Sequence, residues 1–159
     1  EEEENLLLRD NVKMHFTASA WVLNPSKNKV LMLYHNIYQS WSWSGGHADG
    51  EGDLLSVAMK EVKEESGLVS LKPLSDSPIS IEILGVQPHY KKQKYVSAHL
   101  HLNYTFLLHN TKEEKLKICP EENSKVGWLS PDEAVRSSTE AWMKPIYKKL
   151  NQKMRKYLG

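Results

Sequence analysis

The sequence is short of several things at once. It contains one cysteine, Cys119, so no disulfide can close within the chain and no CxxC or Cys-based zinc pattern exists. A reducing compartment, the cytoplasm, is the expected location. No apolar run approaches the roughly 18 residues of a membrane helix, so no membrane partner is expected. No secretory leader is visible, and Glu1 rather than a methionine opens the chain, which leaves open whether residues precede it. A surplus of either charge is also missing, since 21 Lys and Arg stand against 20 Asp and Glu. That balance argues against a polybasic nucleic-acid binder. What is present is 159 residues, 40% hydrophobic and 26% charged, which is the composition of one folded domain with a real core.

Along the chain, residues 1–12 read as an N-terminal extension, either the tail of a helix or a solvated terminus, and residues 13–159 as a single domain. Residues 16–23 and 29–35 read as a strand pair around the turn cluster NPSKN. Trp41 and Trp43 alternate in a short strand that ends at Gly45-Gly46. An acidic loop, HADGEG, follows. Asp53 has the chemistry of an N-cap, residues 54–66 read as a helix, and Gly67 fits the residue just past its end. Residues 79–86 form an apolar strand, residues 89–94 a basic loop, and residues 95–108 a long alternating strand. In that strand Leu100, Leu102, Tyr104 and Phe106 share one face, and His99, His101, Asn103 and Thr105 the other. Residues 125–129 close the strands. Ser130-Pro131-Asp132-Glu133 starts a helix. Residues 142–158 carry apolar side chains at helical spacing, and Pro145 either starts or kinks that helix. Strands, helix, strands, helix is an α/β order with a mixed or antiparallel sheet.

The helix after the double glycine carries the chemistry. At about 100° per residue, with Leu54 at zero, Ala58 lies at about 40°, Val62 at about 80° and Val57 at about 300°. Glu61 at about 340° and Glu65 at about 20° fall inside this apolar stripe, and Glu64 at about 280° lies on its edge. A buried carboxylate without a partner is very costly. A cation, a set of donors or a metal must compensate, or else the stripe is narrower and the helix is an exposed, salt-bridged one. Three carboxylates over little more than one turn form an oxygen-rich site suited to a hard divalent ion.

The segment GHADGEGDLLSVAMKEVKEESGL, residues 46–68, resembles the signature of the Nudix (MutT-like) hydrolases, G-x5-E-x7-R-E-U-x-E-E-x-G-U with U aliphatic. Gly46, Glu61, Val62, Glu64, Glu65, Gly67 and Leu68 fall in register. Two positions depart from it: the first signature glutamate falls on Gly52, with Glu51 and Asp53 beside it as substitutes, and the arginine falls on Lys60, which keeps the charge but loses the bidentate fork. The resemblance implies a Nudix-type α/β/α sandwich with a mixed sheet and a pyrophosphohydrolase that requires Mg²⁺ or Mn²⁺. Its substrate would be a nucleoside diphosphate linked to another moiety, or a related small phosphorylated molecule. It further implies Glu61, Glu64 and Glu65 as metal ligands, completed by the Gly45 or Gly46 carbonyl. Glu61 or a glutamate from a later loop would orient the attacking water. Glu122 is the favoured loop residue, with Glu121 close behind. Gly52 and Lys60 support a second reading, a nucleotide-binding module that has lost its chemistry. A homodimer is compatible with the sequence.

Other residues have two readings each. His99 and His101 share a strand face and either hold a metal or line a polar cleft. His47 either touches phosphate or is a loop histidine. Lys91 and Lys92 either grip a phosphate or decorate a hairpin tip. Nothing pairs Cys119 with an activating base.

Overall fold

The computed structural model describes residues 5–159. Ten strands and three helices follow in the order β1 (Met14–Leu23), β2 (Val30–His35), β3 (Ser40–Ser42), β4 (Ser44–His47), α1 (Leu54–Ser66), β5 (Leu71–Pro73), β6 (Ser80–Val86), β7 (His89–Lys91), β8 (Lys94–Val96), β9 (His99–Asn110), β10 (Asn123–Leu129), α2 (Pro131–Arg136) and α3 (Lys144–Leu158). The first four residues of the expected helix tail lie outside the described residues. Residues 5–10 form turns instead of a helix, with Leu8 N–H donating to the Asn5 carbonyl and Asn11 N–H to that of Leu8. No helix among the described residues is long and apolar enough to cross a membrane.

The sheet is mixed. β1 and β9 run parallel, from Met14 opposite Leu100 to Leu23 opposite His109. The other strand pairs are antiparallel, in the path β10-β2-β1-β9-β5, with β3 on β2, β4 on β1 and β6 on β9. β1 is buried on both faces, and its residues 20–23 form a continuous apolar run. Its even positions Ala18, Ala20 and Val22 pack with Phe106 and Leu108 against Val57, Ala58 and Val62 of α1. Its odd positions Trp21 and Leu23 pack with Leu107 against Tyr147, Leu150 and Met154 of α3 and Ala134 of α2. The expected α/β/α sandwich is the one observed.

The helix ends follow local chemistry. Asp53 caps α1 by accepting from Ser56 N–H, and Gly67 ends it at φ +77°, a left-handed conformation that a Cβ would strain. Ser130 and Glu133 form a reciprocal capping box on α2. Pro145 sits in the first turn of α3 and starts it.

The long strand expected over residues 95–108 is broken. The chain leaves the main sheet as the hairpin β7–β8, turning through Lys92 and Gln93 at φ +50° and +66°. It rejoins at His99, because Tyr90 and Tyr95 find each other across the hairpin rather than a core. β5 was not legible as a strand; it is three residues long and held by β9. β6 is inverted relative to its apolar reading: Ile81 and Ile83 are exposed, while Glu82 points inward at 6% exposure. Glu82 is accommodated by Lys149 Nζ at 3.0 Å, Asn103 Nδ2 at 3.2 Å and Thr105 Oγ1 at 3.1 Å.

Tyr147 is fully buried, stacks on Trp21 at 5.4 Å and accepts a hydrogen bond from Trp43 N–H. Tyr147→Ala is expected to cost about 3–5 kcal/mol by the cavity it opens, while Tyr147→Phe, which keeps the ring, costs about 1 kcal/mol. Urea unfolding of the two variants beside the parent checks this order.

Candidate metal centre

The centre is built where β4 crosses the α1 face of the sheet. β4 pairs with β1 so closely that a Cβ on Gly45 would lie 2.8 Å from the Ala18 carbonyl oxygen. At Gly46 an added Cβ would meet Glu61 Cδ at 2.3 Å and Oε1 at 2.5 Å. The double glycine therefore makes room for a carboxylate of this chain. Glu65, 4% exposed, turns the same way. Its Oε1 accepts from Ser44 Oγ at 2.9 Å and from Gly45 N–H at 3.2 Å.

The third member comes from the loop before β10. Glu122 N–H donates to the Cys119 carbonyl, and so does Asn123 N–H. Buried Asn123 then donates through Nδ2 to the Glu65 backbone carbonyl at 3.1 Å. This ties the loop to the end of α1. Carboxylate oxygens of Glu61, Glu65 and Glu122 lie within 4.8 Å of one another. Among the described residues no basic side chain forms an ion pair with any of the three.

The electrostatics record that imbalance. Burial, then the charges of Glu64 and Glu122, pushes the Glu61 carboxyl up to about 7. Burial pushes Glu65 up to about 8 despite the Ser44 hydrogen bond. Hard oxygen donors, convergent and under-neutralised, fit a divalent ion of the Mg²⁺ or Mn²⁺ type.

The remaining expected site residues fall elsewhere. Glu64 is exposed on the edge of the helix and pairs with Lys60 at 3.8 Å, while the Lys60 charge also opposes the rise of the Glu61 pKa. Glu51 and Asp53, the candidate substitutes at the Gly52 position, are exposed and engaged in starting α1: Glu51 accepts from Asp53 N–H, and Asp53 from Ser56. Glu121 is exposed beside Glu122 and outside the three-carboxylate group. Lys91 and Lys92 are exposed on the hairpin, with Lys91 close enough to oppose protonation of His35 and His47. His47, His99 and His101 gather on the opposite face of the sheet, together with His15.

Sequence reasoning missed Arg9, which holds Asp49 by a two-pronged ion pair at 2.8 and 2.6 Å and steadies the left-handed backbone of the acidic loop. It also missed His15 and Glu82. Polar residues at every second position, His15, Thr17 and Ser19, carried that signal. Thr17 and Ser19 match Asn103 and Thr105 across the parallel pair and join them in one hydrogen-bonded network, while His15 stands opposite His101.

A carboxyl whose folded pKa lies above its unfolded value binds its proton more tightly in the folded state. Its stabilising contribution is present below the unfolded pKa and is lost as pH rises through the folded one. Without divalent ion the chain is expected to lose stability as pH rises from 4.5 toward about 8. Glu65→Gln flattens that slope, and divalent ion restores the parent but not the variant. Thermal melts in chelator and in Mg²⁺ across this range check the sign, at about 2–4 °C per kcal/mol.

Comparison with known proteins places the chain's family and fold. The NUDIX domain model matches residues 13–150. A C. elegans Ap4A hydrolase in a binary complex superposes with a TM-score of 0.64 at 18% identity, over 86% of this chain and 95% of its own. A NUDIX-family hydrolase from Clostridium perfringens gives 0.64 at 17%, over 89% and 96%. The E. coli dihydroneopterin triphosphate pyrophosphohydrolase gives 0.61 at 16%, over 84% and 92%. No curated protein sequence matches significantly. At these identities the structural likeness speaks for the fold alone, but the domain match spans most of the chain, and the chain belongs to the Nudix hydrolase family.

Proposed function

We propose that this protein hydrolyses a pyrophosphate bond in a small nucleotide-type substrate, using Mg²⁺ or Mn²⁺ held by Glu61, Glu65 and Glu122. The observation that carries the reading is the convergence of these three carboxylates without a basic partner among the described residues. Glu64, at the rim, would add a ligand from the same helix, and the Gly45 or Gly46 carbonyl would complete the set. A divalent ion in such a site neutralises charge on phosphoryl oxygens and makes water more acidic.

The chain's own part is positioning and proton transfer. Glu61 or Glu122 accepts the proton as the water oxygen bonds to phosphorus and the bridging P–O bond breaks toward the leaving phosphate. Ser44 and Gly45 N–H fix one oxygen of Glu65 and leave the other for the ion. The supporting roles expected of Lys60, Glu51 and Asp53 become helix-surface and helix-start roles. The reading takes residues 13–159 as one domain acting in the cytoplasm, on neither nucleic acid nor membrane.

The second reading, nucleotide binding without turnover, keeps one specific observation: the signature arginine is replaced by Lys60, which turns to Glu64. A phosphate-release assay separates the two. Its panel is Ap4A, dihydroneopterin triphosphate, ADP-ribose, NADH and nucleoside triphosphates, each with Mg²⁺ or Mn²⁺. Turnover on at least one is expected. Binding without turnover on any would support the module instead. On the active substrate, Glu61→Gln, Glu65→Gln and Glu122→Gln are each expected to lower kcat by about 10²–10⁴-fold. Glu64→Gln has a smaller effect that excess metal rescues. Gly52→Glu, with no atom within 4 Å of the added Cβ, leaves folding intact.

A further inference from the structure

Four of the seven histidines meet on the face of the sheet away from α1. Topology brings them there. The parallel pairing of β1 and β9 sets His15 opposite His101, and the antiparallel pairing of β4 sets His47 opposite Thr17, the next same-face position after His15. The ring centroids of His15, His47 and His101 stand 5.0–5.1 Å apart, and one ligand nitrogen from each lies within 4.8 Å of the others.

We propose that His15, His47 and His101 form a second metal site, chemically distinct from the carboxylate centre, that takes a borderline transition ion of the Zn²⁺ class. The hydrogen bonds orient the donors. His15 Nδ1 lies 3.1 Å from the Asn11 carbonyl, which can only accept, so Nδ1 carries the proton and Nε2 a lone pair. That Nε2 is buried with no hydrogen-bond partner, in a residue 4% exposed. A backbone carbonyl behind the ligand nitrogen is the usual support of a metal-binding imidazole. An orphaned buried acceptor is otherwise a cost to the fold.

His99 is built the same way. Its Nδ1 lies 2.8 Å from the Ser97 carbonyl, and its Nε2 lies 3.1 Å from His101 Nε2. Two imidazoles bound to one tetrahedral ion at about 2.0–2.1 Å have their nitrogens roughly 3.3–3.4 Å apart. His99 stands next to His101 but outside the three histidines whose nitrogens converge, so it borders the site rather than completing it. The nearby Arg9 charge is matched by Asp49. Imidazole nitrogen selects Zn²⁺, Co²⁺ or Ni²⁺ over Mg²⁺.

The site is independent of the hydrolase reading. Gly46 faces Glu61, and the next residue, His47, points through to the other side of β4. An ion there would clip together one end of β1, β4 and β9.

The test uses the untagged chain, stripped with chelator and titrated with Zn²⁺ in millimolar Mg²⁺, with Co²⁺ as the spectroscopic probe. One tight equivalent is expected, with the visible bands of tetrahedral Co²⁺ and a rise in melting temperature. The Glu61→Gln/Glu65→Gln double variant keeps it. His47→Gln and His101→Gln, at partly exposed positions, weaken it on the order of 100-fold or more, with unchanged circular dichroism in chelator. The proposal is overturned if the folded parent binds no tight equivalent. It is equally overturned if both histidine variants retain it, or if the double carboxylate variant loses it.

Discussion

Everything at the acidic centre depends on one steric fact: Gly46 has no side chain, and the Glu61 carboxylate lies in the space a Cβ would fill. From that follows the burial of a charged group against a strand, which the protein's interior cannot tolerate unaided. Ser44 and Gly45 answer for one oxygen of Glu65. The remaining oxygens of Glu61, Glu65 and Glu122 are left facing each other. Burial and mutual repulsion raise the pKa values of Glu61 and Glu65, and a divalent ion bound there would relieve that repulsion.

Two further constraints keep that arrangement from relaxing. α1 cannot rotate away, because Val57, Ala58 and Val62, on the stripe that also carries the carboxylates, pack on β1 and β9. The loop carrying Glu122 cannot swing out, because Asn123 is buried and bonded to the carbonyl of Glu65 itself. Asn123 therefore acts as a positioning residue: it touches no ligand atom, but it ties the third carboxylate to the end of the helix that supplies the other two.

How much of this was legible in the sequence varied with how local its cause is. The helix over residues 54–66, its Asp53 cap and its Gly67 end all rest on chemistry within a few residues, and the structure reproduces them. The wheel placed Glu61 and Glu65 inside the buried stripe and Glu64 on its edge, and burial follows that order. The partner of Lys60 was not legible, because an i,i+4 ion pair with Glu64 competes with the role a signature arginine implies. The inward turn of Glu82 was hidden as well. β6 is apolar by composition, and only Lys149 on α3, 67 residues later in the chain, makes an inward carboxylate tolerable. The break before His99 likewise depends on tyrosines pairing across a hairpin rather than on the alternation itself.

The near-neutral total charge gains a physical meaning from these placements. Residues 45–68 hold six acids and two bases, and residues 141–159 six bases and no acid. The two blocks do not neutralise each other, since α1 and α3 lie on opposite faces of the sheet. The bases of α3 are used locally: Lys149 on Glu82, Lys153 on the Ile79 carbonyl and Arg155 on Asp132. Had one of them reached Glu61 or Glu65, the carboxylates would be paired, their pKa values ordinary and the affinity for a divalent ion gone. The sheet keeps the α3 cations on the face away from the acidic centre.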